Sequence, residues 1–118
     1  YIVSKDGVYW MIYGPSPIRV ATSVDLTHWT PKGALFREEG GARDPSVTFW
    51  DGTYYLVFCT QDQVRVRTSK DLINWSASQT ILEMEGNVAP ESPSLVRYDG
   101  TFYLLDEAAA PREGGSGL

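Results

Sequence analysis

Asp6-Gly7-Val8-Tyr9-Trp10 returns as Asp51-Gly52-Thr53-Tyr54-Tyr55 and again as Asp99-Gly100-Thr101-Phe102-Tyr103. The first offset is 45 residues and the second 48. A second element, Ser23-Val24-Asp25-Leu26-Thr27-His28-Trp29, comes back 46 residues later as Ser69-Lys70-Asp71-Leu72-Ile73-Asn74-Trp75. Two unrelated elements sharing one period define an internal repeat of about 47 residues.

Each repeat reads as strand, tight turn, strand. Pro45 to Trp50 is short, apolar and rich in β-branched and aromatic side chains. Asp51-Gly52 then supplies the two residues that a primed hairpin turn needs, because both must adopt positive φ. Tyr54 to Cys59 makes the returning strand, and Val64-Arg65-Val66-Arg67 alternates as a half-exposed third strand. Thr80-Ile81-Leu82 belongs to a fourth, outer strand. The Asp-Leu-x-x-Trp element is expected to be a turn whose Leu and Trp plug the gap to a neighbouring sheet. Four short strands per repeat of this length is the arithmetic of a β-propeller blade. The fold expected is therefore all-β, a partial propeller of four-stranded antiparallel blades. Its repeat units run at about residues 1–42, 43–90 and 91–118. Trp29 and Trp75 read as blade packing rather than ligand stacking. Ala108-Ala109-Ala110 is too short for a helix and Pro111 follows it.

Composition narrows the function classes. Of 118 residues, 42% are hydrophobic, which is too apolar for a disordered chain. A net charge of −5 argues against a nucleic-acid partner, which leaves a basic footprint. No apolar run approaches the roughly 20 residues of a membrane-spanning helix. Cys59 is alone, so no internal disulfide or cysteine-based zinc cluster can form. No metal-ligand spacing is present, and no cofactor is called for. The chain opens at Tyr1 within a strand and closes on Glu113-Gly114-Gly115-Ser116-Gly117-Leu118, a flexible linker-like tail from about residue 111. Both ends are expected to be cut from something longer.

The chemistry-bearing residues precede the innermost strands. The second repeat has Arg43-Asp44-Pro45-Ser46-Val47 and the third Glu91-Ser92-Pro93-Ser94-Leu95. Aligning the turns sets Pro45 on Pro93, Asp44 on Ser92 and Arg43 on Glu91. Adjacent blades thus offer an acidic group at the same end of the central channel. Glycosidic hydrolysis needs carboxyl groups approaching a sugar from different sides, one of them protonated. The plainer alternative is that Asp44 and Glu91 cap turns or pair with Arg43 and Lys70.

Ala42-Arg43-Asp44-Pro45-Ser46-Val47 followed by Asp51-Gly52-Thr53-Tyr54-Tyr55-Leu56 resembles the second-blade motif of five-bladed glycosidases of glycoside hydrolase families 43 and 32. Glu91-Ser92-Pro93 with Asp99-Gly100-Thr101-Phe102-Tyr103-Leu104 resembles their third-blade motif. The resemblance runs from Tyr1 to about Leu105. It implies five blades in the parent and a glycan substrate containing arabinose, xylose or fructose. It implies that Glu91 is the general acid and that Asp44 orients it, or holds sugar hydroxyls near the transition state. Arg43 would then bind substrate or pair with a carboxylate. An acid that stays protonated near neutral pH needs burial or a like charge close by, and Asp44 could supply the latter. Both families also place a base or nucleophile before the first blade's inner strand, and Tyr1 aligns just after that position. This chain is therefore expected to lack one catalytic carboxylate.

Other residues carry less. His28 occupies a variable slot before Trp29, matched by Asn74, and reads as surface. Cys59 has no general-base partner in the sequence and reads as inert. Trp50 and Phe49, with Tyr1 and Trp10, are candidates for a sugar-stacking platform, against the competing reading of core packing. Alternatives to an enzyme are a non-catalytic carbohydrate-binding propeller module and a bare assembly unit. About two and a half blades leave open faces, so a homodimer or the remaining blades of the parent are the expected partners. A secreted or periplasmic setting suits a glycan-directed protein.

Overall fold

The computed structural model describes residues 1–109; the predicted flexible tail lies outside the described residues. Among the described residues, ten antiparallel strands form three sheets. The first has β1 (Ile2–Lys5), β2 (Val8–Tyr13), β3 (Ile18–Ser23) and β4 (Thr30–Phe36) in sequential order. The second repeats it with β5 (Arg43–Trp50), β6 (Thr53–Cys59), β7 (Gln63–Ser69) and β8 (Gln79–Glu83). The third is the hairpin of β9 (Ala89–Tyr98) and β10 (Thr101–Ala109). This is the all-β blade architecture that the repeat predicts.

The repeat extends to backbone angles. Asp6, Asp51 and Asp99 have φ of 52°, 49° and 49°, and the glycines after them 77°, 77° and 79°. All three Asp-Gly pairs thus make the same left-handed two-residue turn, whose twist matches that of the strands it joins.

The Asp-Leu-x-x-Trp elements are equally alike, and their polar groups explain why. Ser23 Oγ accepts from the N–H groups of Asp25 and Leu26, while Asp25 Oδ1 accepts from those of Thr27 and His28. Ser69 and Asp71 do the same for residues 71–74. In each copy the Trp indole donates to the Leu carbonyl, and the Leu sits at a φ of 70° or 68°. Side-chain acceptors thus replace the ladder bonds that the reversing backbone gives up. They also hold the carboxyls of Asp25 and Asp71 far below the usual range, chiefly through the backbone donors of His28 and Asn74 respectively.

The core lies between blades. Tyr54, Leu56 and Phe58 of β6 enter one cluster with Ile12, Ile18 and Val20 of the first sheet, and Leu72 plugs it. Val57 and Cys59, on the opposite face of the same strand, enter a second cluster that Leu95 and Leu104 of the third sheet cover. A period of two on a strand buried on both faces accounts for the unbroken apolar run Tyr54–Cys59. Leu72 is 0% exposed, whereas its counterpart Leu26 is 47% exposed. Burial of Leu72 follows from its having the first sheet to plug into.

The loop between β4 and β5 is tied to the second blade by Glu38. Its carboxylate, 3% exposed, pairs with Arg65 and Arg67 at 2.6 Å each and accepts the Ser78 hydroxyl at 2.6 Å. The Arg67 guanidinium lies over the Phe36 ring, 4.2 Å from its centre.

Candidate active site

β5 begins two residues before the predicted Pro45, because a bulge carries it past the proline. Arg43 pairs with Cys59 and Ser46 with Val57, so three steps on β5 face two on β6. β9 repeats this, with Glu91 opposite Glu107 and Ser94 opposite Leu105. Asp44 (φ 55°) and Ser92 (φ 48°) occupy matching positions in the two bulges. A left-handed residue just before proline is sterically unfavourable, and strain of this kind gathers at sites where a side chain must be re-aimed.

Three side chains of β5 reach across to β9. Arg43 donates from Nη2 to the Pro90 carbonyl at 2.6 Å, and from Nη1 to the Thr60 carbonyl. Asp44 Oδ2 accepts the Ser92 N–H at 3.0 Å. Thr48 Oγ1 donates to the Leu95 carbonyl. Asp44 is therefore bonded to the residue following Glu91, and the acidic positions of the two blades stand side by side at one end of their strands. Both side chains are exposed at that end. Beside Asp44 an open cleft of about 430 Å³ lies between the first two blades, lined by Tyr1, Tyr13, Arg43 and Asp44 among others.

Neither Asp44 nor Glu91 forms an ion pair with Arg43 or Lys70 among the described residues. Lys70 instead bonds the Thr53 hydroxyl. Arg43 is committed to two backbone carbonyls, so its charge braces the junction between β5, the β6–β7 turn and β9.

Phe49 and Trp50 are not brought to this end. They close β5 at its Asp51-Gly52 turn, about 20 Å along the strand from Asp44. There Phe49 packs on Tyr54, Trp50 meets Phe102 edge-on, and Arg97 covers the Trp50 ring at 3.6 Å. They belong to an aromatic group at the other mouth of the strand array.

Cys59 stands opposite Arg43 on the paired strand and is 0% exposed. Burial pushes its thiol up to about 12; Arg43 opposes this, while Asp106, Asp44 and Glu91 add to it. Asp106 is a further acidic residue at this end, and one that sequence reasoning missed. It stands opposite the β9 bulge, and its Oδ1 is sealed from solvent without a hydrogen-bond partner. Burial raises its pKa; the Glu91 N–H facing it opposes that, and the charges of Glu107 and Glu91 reinforce it.

The bulges of β5 and β9 thus set carboxylates at one end of a four-stranded blade and of the hairpin beside it. Residues 38–116 match the family model described as glycosyl hydrolases family 43, and the chain belongs to that five-bladed propeller family. A search of the curated proteins returns no match.

Solved structures share the fold. The native arabinanase Arb43A of Bacillus subtilis superposes with a TM-score of 0.76 at 13% identity, covering 99% of this chain and 53% of that one. An α-L-arabinanase of Cellvibrio cellulosa complexed with arabinohexaose gives 0.76 at 13% identity, covering 96% and 47%. An endo-1,4-β-xylanase of Bacteroides thetaiotaomicron gives 0.72 at 20%, covering 98% and 43%. The chain thus spans about half the length of these relatives.

Proposed function

We propose that this chain supplies two blades' worth of the active site of a glycoside hydrolase acting on arabinose- or xylose-containing glycans. The observation that carries the reading is the hydrogen bond from Ser92 N–H to Asp44 Oδ2, which ties the two acidic strand starts together across the blade junction. In this reading Glu91 is the general acid. It gives its proton to the glycosidic oxygen as the bond to the anomeric carbon breaks, so the sugar leaves as a neutral alcohol rather than an alkoxide. Asp44, held by the Ser92 N–H, keeps its other oxygen for a sugar hydroxyl or for Glu91. Arg43 acts through the backbone, fixing Pro90 and hence the start of the segment that carries Glu91. The third carboxylate, which activates water or attacks the sugar, would stand ahead of β1. Arabinan and xylan are favoured as substrates by the arabinanases and the xylanase among the structures of the same fold. Fructose-containing glycans, which the family 32 likeness brought in, rank below them.

The test is Glu91→Gln in the full-length protein that contains this chain. Hydrolysis of arabinohexaose or xylohexaose is expected to fall by a factor on the order of 100 or more, with oligosaccharide binding by calorimetry largely kept. An aryl glycoside whose leaving group needs no proton should lose far less. Unchanged turnover would refute the acid role and leave a carbohydrate-binding propeller as the surviving reading.

A further inference from the structure

Arg43 belongs to two clefts. It lines the one beside Asp44 between the first two blades, and its guanidinium braces both walls of another. This second cleft, of about 400 Å³, opens between the β6–β7 turn and the loop that leads from β8 into β9. Gln61 and Asp62 line it from the turn, Asn87 and Ala89 from the other side. Thr60, whose carbonyl takes Arg43 Nη1, immediately precedes Gln61; Pro90, whose carbonyl takes Arg43 Nη2, immediately follows Ala89.

The walls are fixed by backbone bonds. Thr60 N–H donates to the Gln63 carbonyl at 2.8 Å, and Gln63 N–H donates to Thr60 Oγ1 at 3.2 Å, which closes the turn. Met84 N–H donates to the Asp62 carbonyl at 2.8 Å and ties the turn to the end of β8. The side chains of Gln61, Asp62 and Asn87 take no part in these bonds and are exposed to the cleft. A preformed concavity with a few free polar groups is what orients a polar ligand. Two amides that donate and accept, beside a carboxylate that only accepts, match sugar hydroxyls, which do both. An anion would meet Asp62 with no cation among the lining residues. The cleft also has a fixed place relative to Glu91. Ala89 and Glu91 are alternate residues of β9, so their side chains leave the same face of the hairpin about 7 Å apart.

We propose that this cleft is a sugar subsite adjoining the cleaved bond, in which Asp62 and the amides of Gln61 and Asn87 hold the hydroxyls of a neighbouring glycan unit. The inference rests on the glycosidase reading above and adds to it the residues that select for a chain over a single sugar.

In the full-length protein, the double variant Asp62→Ala/Asn87→Ala removes one polar group from each wall and keeps the Met84 bond, which is made to the Asp62 backbone. Arabinohexaose or xylohexaose is compared with an aryl glycoside of the same single sugar. The ratio of kcat/KM on the hexaose to that on the aryl glycoside is expected to fall by a factor on the order of 10 to 100, mainly through KM. Calorimetry in a Glu91→Gln background needs no turnover, and hexaose affinity should fall there by a similar factor. An unchanged ratio, with both substrates still cleaved by wild type, would remove the subsite and leave the glycosidase reading standing. An equal loss on both substrates would mark the two residues as structural and overturn the proposal as well. A wild-type protein that cleaves neither substrate would remove the glycosidase reading itself, and the subsite with it.

Discussion

Glu38→Ala tests how the first two blades are locked together. The carboxylate is 3% exposed and receives four bonds: Arg65 Nη1 at 2.6 Å, Arg67 Nε at 3.2 Å, Arg67 Nη2 at 2.6 Å and Ser78 Oγ at 2.6 Å. Removing it leaves two guanidinium groups, 22% and 15% exposed, facing each other with no anion between them. Breaking a buried ion pair in this way costs about 3–5 kcal/mol, mostly because the remaining charge stays buried. Both arginines keep a path to water, so the lower end, about 3 kcal/mol, is expected. Urea unfolding followed by tryptophan fluorescence reads this as a lower midpoint at unchanged slope. A loss below about 1 kcal/mol would refute the reasoning and mark the network as solvent-relaxed. The network also has a pH signature. Burial works against the Glu38 charge, but the bonds from Ser78, Arg67 and Arg65 outweigh it and leave the pKa below its ordinary value. A depressed carboxylate stabilises fully above its unfolded pKa, about 4.3, and loses that contribution as pH falls through the folded value. The wild-type protein should therefore lose stability more steeply than Glu38→Gln as pH drops below about 4.

Two further outcomes follow from burial. Leu72→Ala should cost about 3 kcal/mol, while the same change at Leu26, in an identical turn but half exposed, should cost well under 1 kcal/mol; paired urea curves decide it, and equal losses would contradict the plug assignment. The Cys59 thiol, buried and shifted up to about 12, should not react with a thiol-directed disulfide reagent at pH 8 until denaturant is added; rapid native labelling would show that the carboxylate end of β6 opens readily.

The repeat made the strands legible because its punctuation is chemical. Asp-Gly fixes a turn by its φ demands, and Ser-x-Asp-Leu-x-x-Trp fixes one by its own side-chain acceptors, so both can be read without tertiary context. Arg43, Asp44 and Glu91 were legible as a group because they flank matched prolines. Reading the strand as starting at Pro45 missed the bulge, since nothing in a proline's neighbours announces that the ladder resumes beyond it. Asp106 was hidden because Leu104-Leu105-Asp106-Glu107 looks like a strand running out into solvent. Only superposing the blades shows that it takes the place of Phe58. Glu38 was hidden for a different reason. Its partners lie 27, 29 and 40 residues away, on strands whose alternation gives no hint of which cation will meet which anion. Phe49 and Trp50 were candidates for a sugar-stacking platform, but they close a strand of eight residues at the end away from Asp44.

The contrast between Leu26 and Leu72 gives the blade array a direction. The second blade's plug, Leu72, is directed back at the first blade, so the two faces of that blade are not interchangeable: one carries a peg, the other does not. Blades joined in this way can stack in one sense only. A blade inserted in reverse would set peg against peg and leave two sockets empty. The order of the sheets is thus written into a seven-residue turn as much as into the covalent chain, and polypeptides carrying separate groups of blades could reassemble in register without a connecting peptide.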